Sequence, residues 1–139
     1  MREIVFRGQT QEGEWVFGNC ISNKTNNNID VAYIGLCYLP CAEEPIENFL
    51  AKIFRVRPET VGQFTSLYDK ELNPIYEGDI LQVDGCSDKL EVRFIRGVFA
   101  FLWNGNLDNE FPCNAPTQEW ATVIGNIYEN PTLLGKEKK

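Results

Sequence analysis

The 139-residue chain contains no histidine, and this removes most familiar catalytic constellations. Ser-His-Asp and Cys-His catalysis are excluded within the chain. So are histidine-ligated zinc and the H-E-x-x-H proteases, and with them the one side chain that ordinarily titrates near neutral pH. What remains is carboxylate and thiol chemistry. Glu77 and Asp79 stand two apart, which on an extended segment sets both carboxylates on one side. Such a pair could bind a divalent cation or divide acid and base roles, which makes a metal-dependent enzyme one reading. Glu59 and Asp69 would then have to approach it in space. The competing reading, a solvated strand start, is favoured because nothing else in the sequence completes a site. Five cysteines, Cys20, Cys37, Cys41, Cys86 and Cys113, are an odd number with no secretory leader ahead of them. This pattern points to reduced thiols, mostly packed as small hydrophobes. Cys37-x-x-x-Cys41 is half a metal site, whereas a closed tetrahedral zinc site usually shows two local pairs. Gly8, Gly13 and Gly18 are spaced wrongly for a phosphate-binding loop. No catalytic, cofactor-binding or metal-ligating residue is therefore assigned, and no cofactor is expected.

Aromatic residues are the other candidates. Trp15, Trp103 and Trp120, with Phe99 and Phe101, could form a peptide-binding surface, although rings of this size more often fill a core. The run 98–103 puts Val98, Ala100 and Leu102 on one face and Phe99, Phe101 and Trp103 on the other. A strand apolar on both faces has a second surface to cover, against the N-terminal hairpin or another subunit. Phe99, Phe101 and Trp103, together with Tyr76, Glu77 and Asp79, are the candidate partner-binding residues.

These residues must be positioned by strands. The chain is organised around 58–81. Pro58 biases Arg57 towards an extended conformation, Asp69–Pro74 is turn material, and Glu77-Gly78-Asp79 sets a sharp bend ahead of the apolar Ile80-Leu81. Before it, 4–7 and 14–21 read as a long-looped hairpin, 22–28 as an Asn-rich loop, 30–39 as a buried strand and 51–57 as another strand. Between the last two, 40–50 has the rough 3-4 spacing of a short helix, with Pro45 in its first turn. After the pivot, Asp84-Gly85 and Arg96-Gly97 are two-residue hairpin signals. They separate 80–84, the alternating 90–94 and 98–103. Residues 104–116 read as a loop and 120–128 as a strand with a bulge at Gly125. Short strands joined by tight turns fit a small barrel better than a helix-bearing α/β sheet.

Composition agrees with one globular domain, with room for two subregions around a shared core: 43% hydrophobic and 12% aromatic. No run approaches a membrane span. The net charge is −7 and uneven. Residues 1–57 hold six basic and seven acidic groups, a balance of −1, and residues 58–139 hold seven and thirteen, a balance of −6. That balance disfavours nucleic acid, whose binding depends on Lys and Arg at phosphates.

The strings PETVGQFT, L-x-D-K and IYEGDIL, and later VIGNIYENP, resemble the YopX family of phage and prophage proteins, as do the openings REIVFRG and EWVFG. The resemblance covers the chain except about 20–50. It departs from the family pattern at Ser66, where Gly is common, and at Glu71-Leu72, where Asn-Gly is common. It implies an SH3-like barrel at the C-terminal end and a phage or prophage setting. It implies no mechanism, because the family's activity is not established. The expected protein is thus mainly β. An N-terminal β region with a short helix, 1–57, packs on an SH3-like barrel, 58–131, which is followed by a charged, frayed tail, 132–139. The expected role is a non-enzymatic binding or assembly protein, homo-oligomeric, with a protein partner, in the host cytoplasm and away from the membrane. A phage regulatory protein associated with nucleic acid is a further alternative, which the charge opposes.

Overall fold

The computed structural model describes residues 4–25, 28–35, 53–112 and 116–135. Cys37, Cys41, Cys113, the short helix expected within 40–50 and the tail from 136 onward lie outside the described residues. The chain forms two compact units, Met1–Gln63 and Phe64–Lys139, and the described residues are mainly β.

In the first unit, β1 (Phe6–Gln9), β2 (Trp15–Thr25), β3 (Asn28–Gly35) and β4 (Phe54–Val56) form an antiparallel run in the order β4-β3-β2-β1. Gly62 and Gln63, which open β5 (Gly62–Tyr68), continue it by pairing with Arg7 and Phe6. The β1–β2 hairpin is closed by Thr10 N–H on the Glu14 carbonyl at 2.8 Å and Gly13 N–H on the Thr10 carbonyl at 3.0 Å. The Asn-rich stretch expected as a loop is mostly ladder: Ser22 faces Ala32, Asn23 faces Val31 and Thr25 faces Asn28, with a register shift after Asn23. Cross-strand pairing outweighs the low strand propensity of Asn here. The core face holds Ala32, Ile34 and Val56, with Phe6, Val16, Cys20 and Val61 packed around them. Gly8 is the residue that lets Val56 in, since a Cβ there would stand 2.7 Å from Val56 Cγ2. A 3₁₀ turn, Pro58–Thr60, follows an extended Arg57, as Pro58 dictates. Thr60 Oγ1 accepts from Gln9 N–H at 2.9 Å and donates to the Arg57 carbonyl at 2.6 Å, tying the turn to β1.

In the second unit, β5 runs on into a hairpin with β6 (Pro74–Tyr76), with a register shift between Phe64 and Tyr68. A five-stranded antiparallel sheet follows, built from β7 (Asp79–Val83), β8 (Lys89–Ile95), β9 (Val98–Trp103), β10 (Glu110–Pro112) and β11 (Ala121–Asn126) in the order β10-β9-β8-β7-β11. A helical turn, α1 (Thr117–Trp120), leads into β11, and a 3₁₀ turn, Pro131–Leu134, ends the described chain against β8. The core is Ile75, Leu81, Leu90, Val92, Phe101 and Ala121, ringed by Leu67, Val83, Trp103, Phe111, Trp120 and Val123.

The closed barrel expected for 58–131 is not formed. Among the described residues, β10 and β11 are the edges of the five-stranded sheet, pairing with β9 and β7 respectively. Both are blunted as edges: β10 is three residues long and contains Pro112, and β11 shifts register between Val123 and Gly125. Arg96-Gly97 makes the expected two-residue turn, with φ of 50° and 83° and Ile95 facing Val98. Asp84-Gly85 also turns the chain, with Cys86 N–H on the Val83 carbonyl at 3.2 Å, but the ladder does not resume there. Asp84 N–H goes to the Trp120 carbonyl at 2.9 Å and Gln82 Nε2 to the Cys86 carbonyl at 2.6 Å, and β8 starts only at Lys89. The connection therefore lengthens to residues 84–88. The loop expected over 104–116 holds β10 and a 3₁₀ turn, Leu107–Asn109, capped by Asn106 Oδ1 on Asp108 N–H at 2.9 Å.

Candidate interaction surfaces

Glu77 and Gly78 form the tight turn between β6 and β7. Gly78 has φ of 94°, and a Cβ there would stand 2.9 Å from a Tyr128 ring carbon, so both backbone and packing require glycine. Asp79 is buried, and its Oδ2 accepts from Tyr76 N–H at 2.8 Å across the turn. Tyr76 is buried too, its ring 5.5 Å from that of Phe64. The two carboxylates therefore serve different surroundings: Asp79 closes the turn and Glu77 sits half-buried in it. Among the described residues no three Cys, Asp or Glu side chains meet where they could hold a metal ion.

The structure brings a third carboxylate into play. Asp69 is fully buried in the β5–β6 turn. Its Oδ1 accepts from Glu71 and Asn73 N–H, each at 2.9 Å, and its Oδ2 from Val123 N–H at 3.0 Å and Asn73 Nδ2 at 3.1 Å. Burial alone would push this carboxyl up. The hydrogen bonds, from Val123 and Asn73 first, outweigh burial and hold it below the ordinary carboxylate range. It is a structural anion that pins the turn to β11. The two described thiols, Cys20 and Cys86, are free and half-buried, and burial pushes Cys20 up, away from reactivity.

The doubly apolar strand β9 divides its candidate residues. Phe101 is fully buried in the core. Trp103 is half-buried against Phe111, with ring centres 5.7 Å apart. Phe99 packs edge-on to Phe94 at 5.0 Å near the β8–β9 tip, where Phe94 is 47% and Val98 55% exposed. The opposite face is no less buried: Leu102 and Ala100 lie with Glu91, whose Oε2 accepts from Arg93 Nε at 2.7 Å. The structure brings Tyr76 and Asp79 together. It separates Phe99 and Trp103 to opposite ends of β9.

The largest exposed apolar group among the described residues of the first unit lies on the outer face of its sheet. Phe17 and Ile21 of β2 are 50% and 63% exposed, and Tyr33, directly across from Ile21 on β3, is 38% exposed. Residues 17, 19, 21 and 23 share this face by the two-residue period. Nearer β1 the face is closed, with Arg7 buried and its guanidinium 4.6 Å over the Trp15 ring. The signal was present in the alternation of Trp15, Phe17 and Asn19. Its meaning depends on which face is outward, and a period alone does not say.

Comparison with known proteins gives a family and a similar fold. The profile of the family described as YopX protein matches residues 5–135. The fold is similar to the crystal structure of protein EF1440 from Enterococcus faecalis, with a TM-score of 0.53 and 26% identity, covering 95% of this chain and 98% of that one. No curated protein matches the chain significantly. No helix among the described residues is long and apolar enough to cross a membrane.

Proposed function

Because the chain belongs to the YopX protein family, we propose that it is a non-enzymatic assembly protein of a phage or prophage, acting in the host cytoplasm and associating with a second copy of itself. The observation that carries this reading is the exposed row Phe17, Ile21 and Tyr33 on the outer face of the first unit's sheet. Charge favours a self-contact there. Residues 1–57 carry −1, so two copies meeting through this face repel little, whereas residues 58–139 carry −6. A two-fold contact needs a self-complementary patch, and a row of aliphatic and aromatic side chains meets that need without a charge match. The candidate residue Phe99, with exposed Phe94 and Val98, supports a second reading in which the copies meet at the β8–β9 tip. The acidic balance of that half opposes it. Light scattering across micromolar concentrations tests the proposal: mass rising towards a dimer supports it, and a monomer at every concentration removes it.

A further inference from the structure

At the far end of β9 from the exposed tip, Trp103 and Phe111 line an open depression of about 540 Å³ together with Asp108, Asn109 and Glu110. The depression is built by local geometry. Asn104-Gly105, both at positive φ, turn the chain out of β9. Asn106 then caps the 3₁₀ turn that carries Asp108, and β10 brings Phe111 back beside Phe101. The two rings are tilted by 36° and offer part of their surface to the depression. Glu110 is already paired with Arg96. Asp108 is exposed, and among the described residues its carboxylate has no ion-pair partner. Among the described residues the lining contains no Lys or Arg.

We propose that this ledge receives a lysine or arginine side chain from a basic segment of a partner protein. Aromatic faces attract cations through their quadrupole. Asp108 supplies a neighbouring negative charge, and the −6 balance of residues 58–139 draws a basic segment in and turns an acidic one away. The site is independent of the self-contact proposed above, which lies on the other unit.

The test is NMR titration of the full chain with a hexa-arginine peptide, with a hexa-glutamate peptide as control. The Trp103 indole signal is assigned by its loss in Trp103→Phe. The expected result is a saturable shift of that signal and of the Asp108 to Phe111 amides with hexa-arginine alone, weakened about tenfold in Asp108→Lys and about threefold in the milder Asp108→Asn. Ile21→Lys should leave it unchanged. The proposal is overturned if the shifts spread over Asp84, Asp88 and Glu119 without saturating at Trp103. It is equally overturned if both Asp108 variants bind as the natural chain does.

Discussion

The two units differ in the make-up of their cores and in the charge around their exposed apolar groups. The second unit has a large aromatic core, and its most buried carboxylate, Asp69, is fully hydrogen-bonded. Its surface is acidic. The first unit has a small core of Ala32, Ile34 and Val56 and ties the end of β1 to the following turn with polar side chains, Gln9, Arg57 and Thr60. It leaves Phe17, Ile21 and Tyr33 in contact with solvent. Both units expose apolar side chains, but Phe94 and Val98 of the second belong to a half with a balance of −6, whereas Phe17, Ile21 and Tyr33 belong to one that is nearly uncharged. That difference is why self-association is placed on the first unit and recognition of a cation on the second.

Substitutions can break this contrast. The largest effect is expected at Asp69. Asp69→Asn removes a buried anion that accepts four hydrogen bonds and turns an amide towards N–H donors. The loss should be about 3 kcal/mol, seen in urea unfolding of the second unit's signals. Its pH dependence has a definite sign. Because the folded carboxyl is held down, its contribution is fully present above the unfolded value of about 3.9. It is lost as pH falls through the lower folded value, and Asp69→Asn should flatten that acid limb. Next is Gly78→Val, which forces a branched residue to φ of 94° and into Tyr128. It should cost about 2–3 kcal/mol in thermal or urea unfolding.

Smaller and opposite in sign are two changes at departures from the family pattern. Ser66 and Leu72 have φ of 71° and 65°, the left-handed region that favours glycine. The Ser66 hydroxyl is also buried, with no hydrogen-bond partner among the described residues. Ser66→Gly and Leu72→Gly should each stabilise the second unit by about 1 kcal/mol, measured as a higher urea midpoint. Unchanged midpoints would mean these turns relax at no cost.

Much of the strand framework was readable locally. The Arg96-Gly97 turn follows from Gly97, which adopts positive φ freely, and the bend at Gly78 follows from its place between two acids ahead of a strand. Ser66 and Leu72 were marked by resemblance, and the backbone explains both. What local pattern did not carry was partner choice over distance. Closing a barrel depends on which strand β11 meets, and it meets β7, while β10 stays on β9. Asp84-Gly85 turned the chain, but the ladder ends at Gln82 facing Lys89, and Asp84 N–H goes instead to the Trp120 carbonyl, far along the chain. Among site residues, period-two alternation showed that β9 was apolar on both faces. It could not show that Phe101 faces the core, nor that Ile21, within an unremarkable strand, faces outward.

The placement of self-association is tested most directly by comparing the masses of Ile21→Lys and Phe94→Lys in solution with that of the natural chain. The account predicts a natural chain heavier than its 15.9 kDa monomer, an Ile21→Lys variant at the monomer mass and a Phe94→Lys variant that still associates. A dimer lost in Phe94→Lys and kept in Ile21→Lys would contradict it.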